Sequence, residues 1–290
     1  MSIGVPTEGG VAARPGAARR RRPSPSIALS LLFVGAVAIL AITGTLLAPH
    51  DPSAQNLVDS VQGPSGAHLL GTDDSGRDIV SRIVAGARTA VIGPLAVVLG
   101  AMLIGTAFGL LAGYRGGWPD SVIMRVVDLM YALPGLLVAI VLLGVLGGGY
   151  WVAVAVLIAL TVPYDTRLVR GATLEQRGLP YVDAAQTVGR SPWRIMLRHI
   201  WPNILPLVVA NAFLNYAFTL VALASLSFLG LGAGPGAAEW GQMLSDNLQL
   251  IQDNAWAALA PGIALVLLAM STNLIGDWVY ELMSDRGRGR

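Results

Sequence analysis

Long apolar runs with few or no charges are the feature that most constrains the fold of this chain. The first covers residues 27–48, and as an α-helix rising 1.5 Å per residue it would be about 33 Å long. That length crosses a hydrocarbon core of about 30 Å, where the backbone can satisfy its hydrogen bonds only in a helix or a closed barrel. Five further runs follow, at 89–114, 121–146, 150–164, 203–228 and 255–276. The sequence therefore predicts an all-α integral membrane protein with six transmembrane helices.

The residue types that are missing exclude several kinds of chemistry. The chain has no cysteine, so it has no thiolate nucleophile and no cysteine-ligated metal site. All 19 basic residues are arginine, which excludes the lysine of a phosphate-binding P-loop and a Schiff-base lysine. If ATP drives the function, a separate polypeptide must bind the nucleotide. We therefore predict no catalytic residue, cofactor or metal site in this chain.

The arginines also predict the orientation of the spans, because segments that face the cytoplasm carry an excess of basic residues. With the N-terminus inside, the inner segments include the run RRRR at 19–22 and the arginines of the stretch 179–206. The outer segments hold only Arg77, Arg82 and Arg88, which acidic residues outnumber. Both termini are therefore predicted to be cytoplasmic. A cleaved signal peptide is the alternative for the first run, but the run exceeds the apolar length of about 7–15 residues typical of such a peptide.

The polar stretch 179–206, LPYVDAAQTVGRSPWRIMLRHIWPNILP, lies between the fourth and fifth spans. Pro180 suits the first turn of a helix, Gly189 suits its end, and Pro192 suits the start of another. Basic side chains recur at helical spacing, as on an amphipathic helix, at Arg190, Arg194 and Arg198. We expect a short helix, a turn and a second helix over 193–200, all at the cytoplasmic surface.

The first of these two helices carries small residues on one face. Ala184 and Ala185 would leave that face smooth enough to enter a groove on a partner protein. The alternative is an amphipathic helix that rests on lipid headgroups.

The loop before the second span contains the acidic sequence GTDDSGRD at 71–78. Its aspartates suggest calcium, but they lack the alternating ligands and the later glutamate of an EF-hand loop. We expect a solvated turn. The histidines are scattered and lack the spacing of a histidine–carboxylate metal site; they are His50, His68 and His199.

Polar side chains also occur inside the fifth apolar run. Asn211 and Asn215 are four residues apart and share a helix face, with Tyr216 and Thr219 nearby. This face would either line a translocation path or hydrogen-bond to a neighbouring helix, a contact worth about 0.6 kcal/mol in membranes.

Charged residues of the apolar runs lie near the predicted inner ends. Arg125 and Asp128 are three residues apart and are expected to pair, while Asp165 follows the fourth run and Pro134 is expected to kink the third. A proton-coupled secondary transporter usually needs an ionisable group at mid-membrane, and the sequence predicts none there. A membrane-embedded enzyme is a further alternative, but no G-x-S-x-G motif occurs.

The polar stretch resembles the EAA loop of bacterial ABC-importer permeases. The resemblance lies in Asp183-Ala184-Ala185, in Gly189 four positions after Ala185, and in Pro202 thirteen positions after Gly189. Asp183 stands where the family usually has Glu, and Trp201 stands where it usually has Leu. Further segments, in the expected order, resemble the C subunit of dipeptide/oligopeptide importers: HLLGTD at 68–73, GRD at 76–78, SR at 81–82, GAR at 86–88, AGYRGGW at 112–118, MR at 124–125, VD at 127–128, LVRG at 168–171, RHI at 198–200, PN at 202–203, SLSFLGLG at 225–232 and WG at 240–241.

This resemblance implies a particular assembly in the bacterial cytoplasmic membrane. The chain would form a heterodimer with a B-type permease subunit, and two cytoplasmic ATPases that bind ATP and magnesium would join them. An extracytoplasmic substrate-binding protein would deliver the solute, and no nucleic-acid partner is expected. Short peptides are the implied substrate class, with nickel chelates or another small solute as the alternative. Matching positions imply that the ATPase-coupling residues are Tyr181, Asp183, Ala184, Ala185, Gly189, Arg190, Pro192 and Arg194.

Composition and hydropathy divide the chain into parts, and the resemblance adds EAA-type coupling helices between spans 4 and 5. The expected parts are a disordered basic tail over 1–26, the first transmembrane helix over 27–48, an extracytoplasmic loop over 49–87, a permease core of five spans over 88–280 that includes a coupling segment at 172–202, and a cytoplasmic tail over 281–290.

Overall fold

The computed structural model describes residues 24–288, with side chains up to residue 283. The basic tail predicted over 1–26 lies outside the described residues up to residue 23, and so do the side chains of the predicted C-terminal arginines. Within the described part, regular structure is helical apart from an isolated bridge between Thr72 and Asp78.

Ten α-helices follow one another in the described part of the chain. They are α1 Pro25–Thr43, α2 Ile79–Arg115, α3 Gly117–Tyr131, α4 Gly135–Leu146, α5 Tyr150–Arg177, α6 Pro180–Thr187, α7 Pro192–Ile195, α8 Trp201–Phe228, α9 Trp240–Asp246 and α10 Ala255–Arg288. Short 3₁₀ turns lie at Gly44–Leu47, Leu57–Asp59 and Leu248–Gln252, and a π-helical turn at Met196–Ile200 precedes α8.

Five helical stretches are long and apolar enough to cross a membrane: Pro25–Leu47, Ile79–Arg115, Tyr150–Arg177, Pro192–Phe228 and Ala255–Met283. Large apolar side chains cover their outward faces, among them Leu32, Ile42 and Leu103. Such a surface would be unfavourable in water over this extent, and lipid would cover it. The all-helical fold of a membrane protein is therefore confirmed.

The third predicted span is broken rather than kinked. Helices α3 and α4 meet at an angle of 84° across a short break that ends at Pro134. Proline has no backbone N–H, and its ring collides with the preceding turn, so the first helix stops at Tyr131 and the second starts anew at Gly135. The pair counts as a sixth span only when its two halves are taken together.

Helices α2 and α5 pack side by side in parallel. The contacts advance together along both helices, because a Cβ placed on Gly105, Gly109 or Gly113 would meet Asp165, Val169 or Thr173 respectively. Glycines four residues apart thus let the two helices approach each other closely. If both helices cross the bilayer, the chain between them must return to its starting side, and the bent α3–α4 pair is that return.

The remaining contacts define the two ends of the bundle. The backbone N–H of His50 donates to Ser81 Oγ, so the end of α1 lies beside the start of α2. At the same end, Asn254 Nδ2 donates to the carbonyl of Leu70. We call this the loop end, because it holds the loops 44–78 and 229–254; the short helix α6 lies at the opposite end.

Two helices extend past the predicted segment boundaries. Helix α2 begins at Ile79, inside the loop predicted over 49–87, because Asp78 caps it by accepting a hydrogen bond from the backbone N–H of Ser81 at 2.8 Å. Helix α10 continues to Arg288, through most of the tail predicted over 281–290.

Candidate coupling site

Helix α6 is held to the bundle by one apolar face. Val182 is fully buried and Ala185 nearly so, and both pack with Ile195 of α7. The cluster continues into the three neighbouring long helices through Leu110, Tyr114, Val169, Ala172, Ile204 and Val208. Because interiors are close-packed, this cluster ties α6 to the ends of α2, α5 and α8.

A tight turn ends α6 where the sequence predicted it. Gly189 has a φ of +75°, a left-handed conformation that glycine adopts without steric cost. The N–H of Arg190 donates to Ala185 O at 3.1 Å and the N–H of Gly189 donates to Gln186 O at 2.9 Å. This is the double hydrogen bond of a Schellman cap.

The sequence predicted a second helix separate from the fifth span. In the structure the two are continuous. Residues Pro192–Phe228 form one helical stretch, whose residues 196–200 make a π turn. Pro202 follows that turn and cannot donate to the preceding carbonyls, so the widened turn lies where the regular ladder would fail. A displacement at the start of α7 therefore acts on the whole span.

The outward face of this segment carries most of the predicted coupling residues. Those exposed to solvent are Asp183, Ala184, Gly189, Arg190, Pro192 and Arg194. Tyr181 is half-buried, and its hydroxyl donates to Gln176 Oε1 at 2.7 Å. The expectation that Ala184 and Ala185 share a partner-facing surface is wrong for Ala185, because that side chain packs inward.

Exposed apolar side chains lie among these polar ones. Val188 is 77% exposed, and Trp193 and Leu197 are each 58% exposed. Aromatic and arginine side chains together are the residues enriched at the centres of protein interfaces. The segment end therefore presents an outward surface suited to a protein partner, which we call the coupling surface: residues 183, 184, 188–190, 193, 194 and 197.

Two ion pairs fix α3 against α5 at the same end of the bundle. Arg167 Nη2 lies 2.6 Å from Asp128 Oδ1, and its guanidinium lies over the ring of Tyr131. Arg170 pairs with Asp120. The predicted pairing of Asp128 with Arg125 is wrong, because Arg167 of the neighbouring helix takes that carboxylate.

A carboxylate and two amides meet between α5 and α8. Asp165 is 4% exposed, and its Oδ1 accepts hydrogen bonds from Asn211 Nδ2 and Asn215 Nδ2, both at 2.8 Å. The sequence placed Asp165 just beyond the fourth span, but α5 continues to Arg177 and buries it within the helix. No local sequence signal indicated this contact, because the two asparagines follow Asp165 by 46 and 50 positions along the chain.

The same contacts bear on the predicted translocation path. Asn211 and Asn215 face Asp165, Tyr216 donates to the carbonyl of Ala90 at 3.0 Å, and Thr219 is buried. All four side chains lie within helix packing in this chain, which favours hydrogen bonding between helices as their role.

The acidic sequence at the loop end is not the solvated turn that was expected. Asp73 is buried, and its Oδ2 lies 2.7 Å from Arg77 Nε and 3.4 Å from Arg82 Nε. Arg82 also donates to the carbonyl of Ala237 at 3.0 Å, and Asn254 binds the loop from the other side. The two loops of the loop end therefore form one folded unit.

Two carboxyl groups of this unit have shifted acidities. Burial raises the pKa of Glu239, which caps α9, above its usual range because the charged form is desolvated. Burial acts the same way on Asp78, but the hydrogen bonds from Ser81 and His68 outweigh it and lower the pKa of that carboxyl.

The structure also brings together two histidines that the sequence separates. The rings of His50 and His68 lie 4.8 Å apart between centroids, and both approach Asp78. The prediction that the histidines are scattered is wrong for this pair.

Fold and surface together define a helical membrane protein of several spans with an exposed basic and apolar surface at one end. The chain belongs to the family of binding-protein-dependent transport system inner membrane components, whose model matches residues 105–288. It is therefore the membrane component of a transport system and not itself an enzyme.

Relatives resemble the chain along nearly its whole length. The probable D,D-dipeptide transport system permease protein DdpC of Escherichia coli is 35% identical, over 92% of this chain and 90% of the relative. The dipeptide transport system permease protein DppC of Alkalihalophilus pseudofirmus is 37% identical, over 89% of this chain and 85% of the relative. The glutathione transport system permease protein GsiD of Pectobacterium atrosepticum is 38% identical over 88% and 85%.

A solved structure shares the fold. The inward-facing MetNI methionine ABC transporter includes a chain that matches with a TM-score of 0.58 at 20% identity. The match covers 69% of this chain and 95% of that one.

Proposed function

We propose that this chain forms half of the transmembrane path of an ATP-driven importer for short peptides. Relatives of similar length are named for dipeptides, D,D-dipeptides and glutathione, which supports peptides as the substrate class. Nickel chelates or another small solute are the alternative. The other half of the path is a B-type permease subunit, and a binding protein on the outer side delivers the substrate.

The coupling surface is where a cytoplasmic ATPase docks. The observation that carries this proposal is the combination of an exposed basic and apolar face with an inward face packed against three spans. A docking surface without that anchoring would transmit no displacement. The two ATPases bind ATP and magnesium, since this chain has no lysine for a P-loop.

The motion follows from the two attachments of the segment. Val182 and Ala185 join α6 to α2, α5 and α8, and the start of α7 continues directly into α8. Closure of the ATPases therefore moves the segment and the ends of these spans together. Both termini and the coupling surface lie in the cytoplasm in this proposal, as the arginine distribution favours.

Ala184→Arg tests the docking proposal without disturbing the core. Ala184 is exposed, so the substitution leaves the packing of α6 intact while placing a long cation on the proposed contact. In proteoliposomes that contain the complete transporter, we expect uptake to fall about tenfold or more, with a matching loss of ATPase binding. Such a change corresponds to a loss of roughly 1.4 kcal/mol or more of binding free energy, which is typical when a contact at the centre of an interface is lost.

Ala54→Arg is the matched control, because Ala54 is also an exposed alanine but lies in the loop 44–78. The control should retain ATPase binding. If Ala184→Arg retains both ATPase binding and normal uptake, the coupling surface is wrongly placed. Competition of the uptake signal by peptides, and not by nickel chelates, identifies the substrate class.

A further inference from the structure

We propose that His50, His68 and Asp78 form a binding site for a divalent transition-metal ion, with zinc as the reference ion. The site lies at the loop end, away from the coupling surface. It does not overlap the proposed ATPase contact.

The ligand atoms are already close to the spacing that such an ion requires. His68 Nδ1 lies 2.9 Å from Asp78 Oδ1, and His50 Nδ1 lies 3.8 Å from Asp78 Oδ2. One ligand atom from each residue lies within 4.8 Å of the others. Ligands about 2.0–2.2 Å from a tetrahedral zinc are about 3.4 Å apart, so the separations of these ligand atoms would have to change by about 0.5–1.4 Å, which side-chain rotations can supply.

The donor set selects the class of ion. Two imidazole nitrogens and one carboxylate oxygen make three protein ligands, which leaves a fourth position for water, as in open zinc sites. Calcium and magnesium prefer all-oxygen ligands, so imidazole favours zinc, nickel or copper over them.

The carboxylate is held in place by groups that would remain when a metal binds. Asp78 Oδ2 accepts hydrogen bonds from Ser81 N at 2.8 Å and from Ser81 Oγ at 2.7 Å. The same hydroxyl accepts from the backbone N–H of His50. Ser81 thus supports two of the three ligands, and such outer contacts commonly orient metal ligands.

Access and charge both suit a cation. The side chain of Asp78 is 2% exposed, that of His68 15% and that of His50 44%, so the site opens to solvent through His50. The nearby guanidinium groups are engaged elsewhere: Arg77 and Arg82 face Asp73, and both donate to Gly236 O.

The bound ion would join three parts of the chain. His50 follows the 3₁₀ turn after α1, His68 lies in the loop, and Asp78 caps α2. Capping of α2 requires only the carboxylate of Asp78 and Ser81, so it does not explain why the two histidines lie there. A metal at this place would tie the outer ends of the first two spans and stabilise the loop unit.

Metal titration of the purified full chain in lipid nanodiscs, with any polyhistidine tag removed, tests the site. We expect one equivalent of Zn²⁺ to bind, and Tm to rise by about 5 °C or more at a hundredfold excess over Kd. Co²⁺ should give the visible absorption of a tetrahedral site with nitrogen ligands. His50→Gln and His68→Gln should each weaken binding about tenfold or more, while His199→Gln, at the other end of the bundle, should leave it unchanged.

Three results would overturn the proposal. One is the absence of a saturable equivalent of Zn²⁺ or of a tetrahedral nitrogen-ligated Co²⁺ spectrum in the unmodified chain. Another is unchanged affinity in the His50→Gln/His68→Gln double variant when its metal-free Tm equals that of the original chain. The third is equal stabilisation by Mg²⁺ or Ca²⁺, which would mean that the imidazoles take no part.

Discussion

Asp165 lies inside the protein because its neighbours satisfy it. In an apolar environment an unpaired polar group costs several kcal/mol, and a carboxylate costs more. Asn211 and Asn215 supply two N–H donors to one of its oxygens, and α2 approaches the other side at Gly105. The contact links α5, which leads into the coupling segment, to α8, which leaves it.

Replacing Asp165 alone should therefore destabilise the chain more than replacing Asp165, Asn211 and Asn215 together. Asp165→Leu leaves two buried amides without a partner, which costs roughly 1–3 kcal/mol for each unpaired group, so we expect Tm to fall by several degrees. Replacing all three residues by leucine should recover most of that loss, because apolar groups of similar shape need no partner. Thermal unfolding in detergent measures both effects, and a triple variant less stable than Asp165→Leu would contradict this account.

The residue contacts show what sequence reasoning could and could not reach. Gly189 was predicted as a helix end from its residue type, and its left-handed φ bears this out. The pairing of Arg125 with Asp128 was wrong because spacing along one helix says nothing about a competing arginine on another. The meeting of His50 with His68 likewise depends on how a long loop folds back on α2, which no local pattern records.

At the scale of elements, hydropathy predicted the existence of the spans better than their ends. The runs near 27–48, 203–228 and 255–276 all lie in membrane-length helices. Helix α2 starts ten residues before its apolar run, because its first turns are polar and are buried by the loops of the loop end. Pro134 was correctly identified as a disturbance, but how far the two halves bend apart depends on their packing partners.

The contact between α2 and α5 gives the sharpest prediction for an element. A Cβ on Gly109 would lie 2.7 Å from Val169 Cβ and 2.8 Å from Thr166 O, whereas one on Gly35 would meet nothing within 4 Å. Gly109→Ala should therefore cost about 1–3 kcal/mol through overpacking. Gly35→Ala should be neutral or slightly stabilising, since alanine favours the helix by about 0.5–1 kcal/mol. Equal Tm values for the two variants would show that the helices can separate at no cost.

At the scale of the molecule, the two ends differ in construction. The loop end is a folded unit in which buried arginines and Asn254 bind the backbone of both of its loops. The opposite end is a short anchored helix with an exposed basic surface. This asymmetry suits a protein that exchanges solute at one side and receives force at the other.

Labelling of single introduced cysteines can measure which end of the protein faces the cytoplasm, because the chain has no cysteine of its own. Gln249 is exposed at the loop end, whereas Asp246 accepts hydrogen bonds from Gly236 and Gln242 and is better left unchanged. We expect an impermeant maleimide to label Gln249→Cys in spheroplasts and Arg190→Cys only in inverted vesicles. Leu103→Cys, on an outward apolar face of α2, should react in neither. The reverse labelling of the first two positions would place the coupling surface outside, where no ATPase could reach it.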